Sequence, residues 1–192
     1  MLQIKLYGLG GQGVVTAAKV LALAAGIYEG RYAQAIPAYG HERRGAPVFA
    51  DLFLADAPIS VKSFVWQPDY VIIFDLSVRD KGVDFQAGTT AGTRYVVNSA
   101  MPPADPLLAG RAFSVDARGI SLAVIGKDIP NGAMLGSLAA AGVVSLAAVE
   151  AALHDSFAGK AGDLNAQAAR RAYQSTRGQD GALLAGTGGL CV

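Results

Sequence analysis

One cysteine, Cys191, stands in a chain of 192 residues. It cannot form an intrachain disulfide, and it falls short of the four thiolates that usually hold an iron–sulfur cluster and of a multi-cysteine zinc site. With no disulfide framework and no apolar signal run after a basic stretch at Met1–Lys5, the expected compartment is the cytoplasm. Charge is scarce as well. Asp, Glu, Lys and Arg make 16% of the chain, against roughly 25% in an average soluble protein. Sixteen basic and fifteen acidic residues leave a net charge of +1, so no broad field attracts nucleic acid or an anionic membrane. Apolar residues at 52% exclude a disordered chain and point to a large core or a large buried interface. The length fits one domain over residues 1–158, followed by a C-terminal helix and flexible tail over 159–192 that can serve as a docking arm on a partner.

The pattern along the chain alternates strand and helix. Residues 2–7 alternate apolar and polar as a strand does, Gly8–Gly13 is a loop, and 14–28 reads as an apolar helix with Lys19 its only charge before Glu29. Strands are expected at 31–37, 47–54, 70–75, 93–98 and 112–115. The run Tyr70–Phe74 is continuously apolar, as in a parallel strand covered on both faces. The expected fold class is therefore α/β: a Rossmann-like parallel or mostly parallel sheet, helices on both faces, and an Ala-rich helical C-terminal part. Residues 131–149 carry no charge, which raises the question of a membrane span. The run is mainly Ala, Gly and Ser, and Gly142–Ser145 interrupts it with Ser145 as an N-cap. Two short buried helices, 132–142 and 146–158, are expected instead, with no membrane span. A last helix is expected over 163–176 with Asp163 as its N-cap, and His154 is read as a surface residue. The tail glycines Gly186–Gly189 follow no strand and are not read as a phosphate loop.

Gly8, Gly10 and Gly13 satisfy G-x-G-x-x-G between a strand and a helix. Glycine allows the tight turn and brings backbone N–H groups close to a ligand, and the following helix N-terminus favours an anion. The candidate ligand-binding residues here are Gly8, Gly10, Gly11, Gln12, Gly13 and Val14. A dinucleotide site also wants a carboxylate about 20 residues on, at the end of the second strand. That place is Ala35–Ala38, with no acid, and Glu29 comes too early. Classical NAD binding is thereby disfavoured. Another phosphate-bearing ligand, or glycines that serve only helix–strand packing, remain as readings.

The densest charged cluster is Tyr39-Gly40-His41-Glu42-Arg43-Arg44-Gly45. It falls where the second strand leaves the sheet, at the ligand end of an α/β fold. Arg43 and Arg44 can clamp a phosphate or carboxylate, and Glu42 can orient one of them. His41 fits an orienting role better than general acid–base work. Tyr39, Gly40, His41, Glu42 and Gly45 are assigned to loop architecture or to an interface. A solvated loop with one local ion pair is the plainer alternative.

Taken in order, Gly10–Ala18, Glu29-Gly30, Gln34–Gly40 and Glu42–Val48 resemble the gamma subunit or gamma domain of the 2-oxoacid:acceptor oxidoreductases, the pyruvate and 2-ketoisovalerate ferredoxin oxidoreductases among them. Asp56–Ile59 and Pro130–Gly136 fall where that family has similar segments, so the resemblance covers about residues 3–155. The Tyr-Gly-x-Glu-Arg-Arg-Gly form favours the pyruvate-type branch over the related indolepyruvate oxidoreductase small subunit. Two departures stand out. Phe53-Leu54-Ala55-Asp56 replaces the Arg-Ile-Ser-Asp of many relatives, and Pro130-Asn131-Gly132 replaces Pro-Asn-Thr.

The resemblance implies a division of labour. Thiamine diphosphate and iron–sulfur clusters belong on alpha, beta and delta-type partner subunits, and ferredoxin or another acceptor takes the electrons. Coenzyme A is the cosubstrate. Gly162-Asp163-Leu164-Asn165 is too short for the usual thiamine-diphosphate motif. This chain would be inactive alone, carry no catalytic residue and no metal, complete the active-site assembly, and help bind coenzyme A through the glycine loop, Arg43, Arg44 and Asn131. A stand-alone NADP-binding reductase and a purely structural subunit are the alternatives. The 2-oxoacid stays open between pyruvate, branched-chain and aromatic acids.

Overall fold

The computed structural model describes residues 1–38, 44–178 and 180–184. Tyr39, Gly40, His41, Glu42, Arg43, the tail glycines Gly186–Gly189 and Cys191 lie outside them.

Six strands form one sheet in the order β2-β3-β1-β4-β5-β6. They are β1 (Leu2–Leu9), β2 (Tyr32–Pro37), β3 (Pro47–Ala55), β4 (Tyr70–Ile73), β5 (Arg94–Asn98) and β6 (Ala112–Val115). β1, β4, β5 and β6 pair in parallel. β3 runs against both its neighbours. Its reversal follows from the short link before it: residues 38–46 suffice for a hairpin, whereas a parallel return needs a crossover of a dozen or more residues. The sheet is thus mostly parallel.

The two faces of the sheet are covered unequally. Ile4, Leu6, Leu52, Ile72 and Val96 join one cluster with α1 (Val14–Leu23), α3 (Asn131–Ala140), α4 (Leu146–Ser156) and α5 (Lys160–Ser175). α2 (Ala117–Ile125) enters the same cluster through Ala117. The opposite face (Tyr7, Val71, Ile73, Tyr95, Val97) packs against Val78 of a short 3₁₀ helix, Leu76–Lys81, and against Phe85 and Leu108 from loops. Helices therefore lie on both faces, but the α-helices share one.

The charge-free run is explained by burial among helices. Every residue from Asn131 to Ala139 is buried, and none of the helices among the described residues is long and apolar enough to cross a membrane. Small side chains let α3 approach α5 closely: a Cβ on Gly136 would stand 1.9 Å from the Ala169 carbonyl oxygen. Ser145 caps α4 as expected, its Oγ accepting from the Ala148 N–H at 3.3 Å.

Three local expectations need correction. The segment 14–28 is helical, but Ala24–Tyr28 widens into a π-helical turn. α5 starts at Lys160 with Gly159 at the N-cap, where φ is +56°. Asp163 is therefore not the cap. It sits in the first turn, where a carboxylate meets the positive end of the helix dipole, and it pairs with the half-exposed His154 at 3.6 Å. β4 ends at Ile73, so Asp75 lies beyond the strand.

Candidate functional site

β1 delivers the glycine loop to the carboxyl end of the sheet. From β1 the chain moves outward to β2 on one side and later returns to β4 on the other. The crevice between such diverging connections is where open α/β sheets bind ligands.

The loop's shape depends on specific glycines. A Cβ on Gly8 would press on Val14 Cγ2 at 2.6 Å and Phe74 Cβ at 2.7 Å, so this glycine permits the close contact of strand, loop and helix. Gly13 holds φ +78° and lies against the buried Asn131 side chain, whose Nδ2 would be 2.9 Å from an added Cβ. Gly13 is also the N-cap of α1, and among the described residues no side chain caps that helix. The first intrahelical bond runs from the Ala17 N–H to the Gly13 carbonyl. The N–H groups of Val14, Val15 and Thr16 are thus left for an anion.

The antiparallel β3 brings the second motif onto the first. Leu9 pairs with Pro47. Beyond them the Gly10 N–H donates to the Ala46 carbonyl at 2.8 Å, and the Gly45 N–H donates to the Gly10 carbonyl at 3.0 Å. This places the exposed Arg44 beside Gly11, with its Cγ 3.7 Å from where a Gly11 Cβ would stand.

Two depressions meet at Gly10 and Gly11. One is a cleft of about 850 Å³, walled by Leu9–Gln12, Arg44 and Gly45 on one side and by Arg118, Lys127, Asp128 and Ile129 on the other, with Asp75 also lining it. The other, about 540 Å³, follows the start of α1 and includes Thr16, Lys19, Asn131 and Phe157. Asn131 Oδ1 accepts from the Gly132 N–H at 2.8 Å.

Asp75, Arg118 and Lys127 escape motif reading. Asp75 Oδ1 accepts from the Ser77 N–H at 2.9 Å and the Ser77 hydroxyl at 2.6 Å, and Oδ2 accepts from Gln12 Nε2 at 2.9 Å. Burial pushes the Asp75 pKa up, but the Ser77 hydroxyl and N–H, the Gln12 amide and the Arg118 charge outweigh it and hold the carboxyl below its ordinary value. Arg118 stands at the start of α2, where its N–H donates to Asn98 Oδ1 at 3.1 Å, and Asn98 Nδ2 donates to the Phe74 carbonyl at 2.9 Å. Asn98 thereby ties the end of β4 to the start of α2. Arg118 Nε lies 3.0 Å from Asp128 Oδ2. The buried Ser121 fixes the 127–129 segment, its Oγ 2.8 Å from the carbonyls of Lys127 and Ile129. The signal for Asp75 was present: an acid directly after an apolar parallel strand, with Ser77 two residues on to form a turn.

Residues 3–175 match the sequence profile of the pyruvate ferredoxin/flavodoxin oxidoreductase family. The chain belongs to this family. It is 42% identical over 182 residues to the pyruvate/ketoisovalerate oxidoreductases common subunit gamma of Thermococcus kodakarensis, covering 92% of this chain and 97% of that one. It is 41% identical over 174 residues to the pyruvate synthase subunit PorC of Methanocaldococcus jannaschii, covering 90% and 96% respectively. The crystal structure of the pyruvate oxidoreductase subunit PORC of Thermotoga maritima superposes with a TM-score of 0.76 at 30% identity, over 92% of this chain and 97% of that chain. The protein is a gamma subunit of a 2-oxoacid ferredoxin oxidoreductase.

The two departures from the family pattern have structural readings. Phe53 is buried on β3 opposite Gln3, at the other end of β1 from the glycine loop. It lies away from the cleft and bears on the core. At Gly132 a Cβ would meet Asn165 Oδ1 at 2.9 Å and the Asn165 carbonyl at 3.0 Å, so the missing Thr side chain reflects α3–α5 packing. The Gly162–Asn165 segment is likewise committed to α5, where Asn165 Nδ2 donates to the Ala161 carbonyl at 2.9 Å.

Proposed function

We propose that this gamma subunit binds coenzyme A at the glycine loop and so completes the active site of a complex that oxidatively decarboxylates a 2-oxoacid to an acyl-coenzyme A. One observation carries the reading: the uncapped start of α1 and the left-handed Gly11 and Gly13 adjoin a large cleft flanked by Arg44. A pyrophosphate suits that environment. It takes backbone N–H groups at a helix N-terminus and a guanidinium from the side. Gly8, Gly10, Gln12 and Gly45 shape the loop, Val14 supplies an N–H, and Asn131 supports Gly13. Arg43 shares the role of Arg44 in this reading, and Tyr39, Gly40, His41 and Glu42 build the loop or its interface.

The chain's donors do not fit the redox centres of the reaction. One cysteine cannot hold a four-thiolate cluster, and Gly162–Asn165 is helix. Thiamine diphosphate and the iron–sulfur clusters are therefore assigned to alpha, beta and delta-type partners in the cytoplasm, with ferredoxin or another electron acceptor taking the electrons, and the isolated chain is assigned no activity.

The test is kinetic, on the assembled complex. Arg44→Ala is expected to raise KM for coenzyme A about tenfold, the worth of one charge-assisted hydrogen bond, with KM for the 2-oxoacid unchanged. An unchanged KM for coenzyme A contradicts the reading. Weakened assembly alone, at unchanged coenzyme affinity, favours a purely structural subunit.

A further inference from the structure

We propose that an exposed aromatic stripe, running from Phe64 and Trp66 to Phe49, docks the partner subunit that carries the acyl group and seats it against the rim of the cleft. The choice of partner rests on the coenzyme A reading above; the stripe itself does not.

The stripe lies on the sheet face that the α-helices leave to a 3₁₀ helix and loops. Tyr7 packs on that face. Cross-strand partners share a face and successive residues alternate. Pairing of Tyr7 with Phe49, and of Asp51 with Ile36, therefore puts Ile36, Phe49 and Asp51 on the same side. Phe49 is 41% exposed, its ring centroid 6.4 Å from that of Tyr7. The 64–66 segment lies over Asp51. Phe64 is 53% exposed and Trp66, the chain's single tryptophan, 82%, while Val65 between them is buried. In the other direction the exposed Pro47, paired with Leu9, carries the stripe to the cleft, which Leu9 lines.

The two outermost aromatics stand on a fixed backbone. The Val65 N–H donates to Asp51 Oδ2 at 2.6 Å, and the Val65 carbonyl accepts from Lys5 Nζ at 2.9 Å. Gly88 also approaches so closely that a Cβ there would lie 1.8 Å from the Trp66 carbonyl oxygen. Lys5 and Asp51 pair with each other at 3.2 Å, so the charges beneath the segment cancel. A backbone pinned in this way loses little freedom when its side chains are covered. Single exposed apolar residues are ordinary, but clustered aromatics on a fixed backbone are the usual anchors of a protein interface.

The position of the stripe selects its occupant. A gamma subunit of a multisubunit oxidoreductase has partners to cover its surface. Coenzyme A held in the cleft must present its thiol to an acyl group, and the donors of this chain do not fit the centre that forms one. The protein carrying that group therefore abuts the rim at Leu9 and Pro47, where the stripe offers it an apolar seat without net charge. A second copy of this chain brings no acyl group to that rim.

Oxidative footprinting of the assembled oxidoreductase, without coenzyme A, reads the stripe directly. Phe64 and Trp66 are expected to be oxidised about tenfold more slowly in the complex than in the isolated full chain, because the core of an interface excludes water. A photoreactive benzophenone side chain placed at position 66 is expected to cross-link the subunit that binds thiamine diphosphate. Trp66→Ser with Phe64→Ser is expected to raise the concentration at which the complex half-dissociates by about tenfold or more, whereas Trp66→Phe keeps most of the affinity. Equal oxidation in the complex and the isolated chain overturns the inference. So does cross-linking to a second gamma chain or to an electron-transfer subunit alone, and so does unchanged dissociation of the double variant. None of these readouts involves coenzyme A. If they come out as expected while Arg44→Ala leaves KM for coenzyme A unchanged, only the coenzyme A reading falls. The reverse pattern removes the docking stripe and leaves that reading in place.

Discussion

Gln12 spans from the glycine loop to the end of β4: its Oε1 accepts the Leu9 N–H at 2.8 Å while its Nε2 donates to Asp75 Oδ2 at 2.9 Å. The two bonds fix the amide orientation, because only the nitrogen can donate to the carboxylate. A loop fixed in this way by its own bonds would cost a ligand less ordering on binding.

Removing that tie is expected to cost both stability and affinity. Gln12→Ala leaves the Leu9 N–H and one Asp75 oxygen without these partners in a half-buried site, a stability loss of about 1–3 kcal/mol. KM for coenzyme A is expected to rise several-fold in the complex. Gln12→Glu places two carboxylates together and is expected to weaken coenzyme binding further at neutral pH, with partial recovery as pH falls. Denaturant unfolding and a KM–pH profile check both.

Much of this arrangement was legible in the sequence, and the unread part has a common cause. The apolar run Tyr70–Phe74 identifies a doubly covered parallel strand, Gly8–Gly13 identifies the loop, and Ser145 identifies the start of α4. Each is a local pattern with a local cause. Asp75 is different. The acid after an apolar run, with Ser77 two residues on, marks a turn; its place at the cleft follows only from β4 lying beside β1, and pairing between residues 4–7 and 70–73 leaves no trace in periodicity. The short helix α2 has no clear apolar period, although Asp116 caps it by accepting the Gly119 N–H at 2.8 Å and Gly126 ends it at φ +75°. Asp163 reads as a cap in the sequence because a first-turn acid and an N-cap acid look alike one turn apart.

The α3–α5 contact makes Gly136 intolerant of a side chain. A Cβ there would lie 1.9 Å from the Ala169 oxygen and 2.6 Å from its carbonyl carbon. Gly136→Ala is expected to destabilise the subunit by about 1–3 kcal/mol or more, since one backbone must move. Gly26→Ala is the control. Its nearest neighbour would be at 3.7 Å, and the substitution is expected to be neutral or stabilising by roughly 0.5–1 kcal/mol. Denaturant midpoints measure the difference.

Lys5 and Asp51 form a cross-strand pair beneath the 64–66 segment. Lys5 Nζ lies 3.2 Å from Asp51 Oδ1 and donates to the Val65 carbonyl at 2.9 Å, while the Val65 N–H donates to Asp51 Oδ2 at 2.6 Å. Asp51 is 1% exposed. Lys5→Met is expected to cost about 3–5 kcal/mol because it strands a buried carboxylate. Lys5→Met with Asp51→Leu is expected to recover part of the loss, read by the same unfolding curves.

Tyr7 gives the subunit an alkaline limit. Burial first, then the charges of Asp51 and Asp84, push its hydroxyl from 10.0 to about 12. A raised pKa favours the neutral phenol in the folded state. Stability is therefore undiminished below the unfolded value near 10 and declines as pH rises toward 12. Tyr7→Phe is expected to remove this part of the slope in unfolding measurements between pH 9 and 12.

The central claim is that coenzyme A contacts this subunit at the glycine loop. Amide hydrogen exchange of the assembled complex, with and without saturating coenzyme A, reads it directly. Slowed exchange is expected in peptides covering residues 10–16 and 117–130 of the gamma subunit. Protection confined to the partner subunits, with those gamma peptides unchanged, would contradict it.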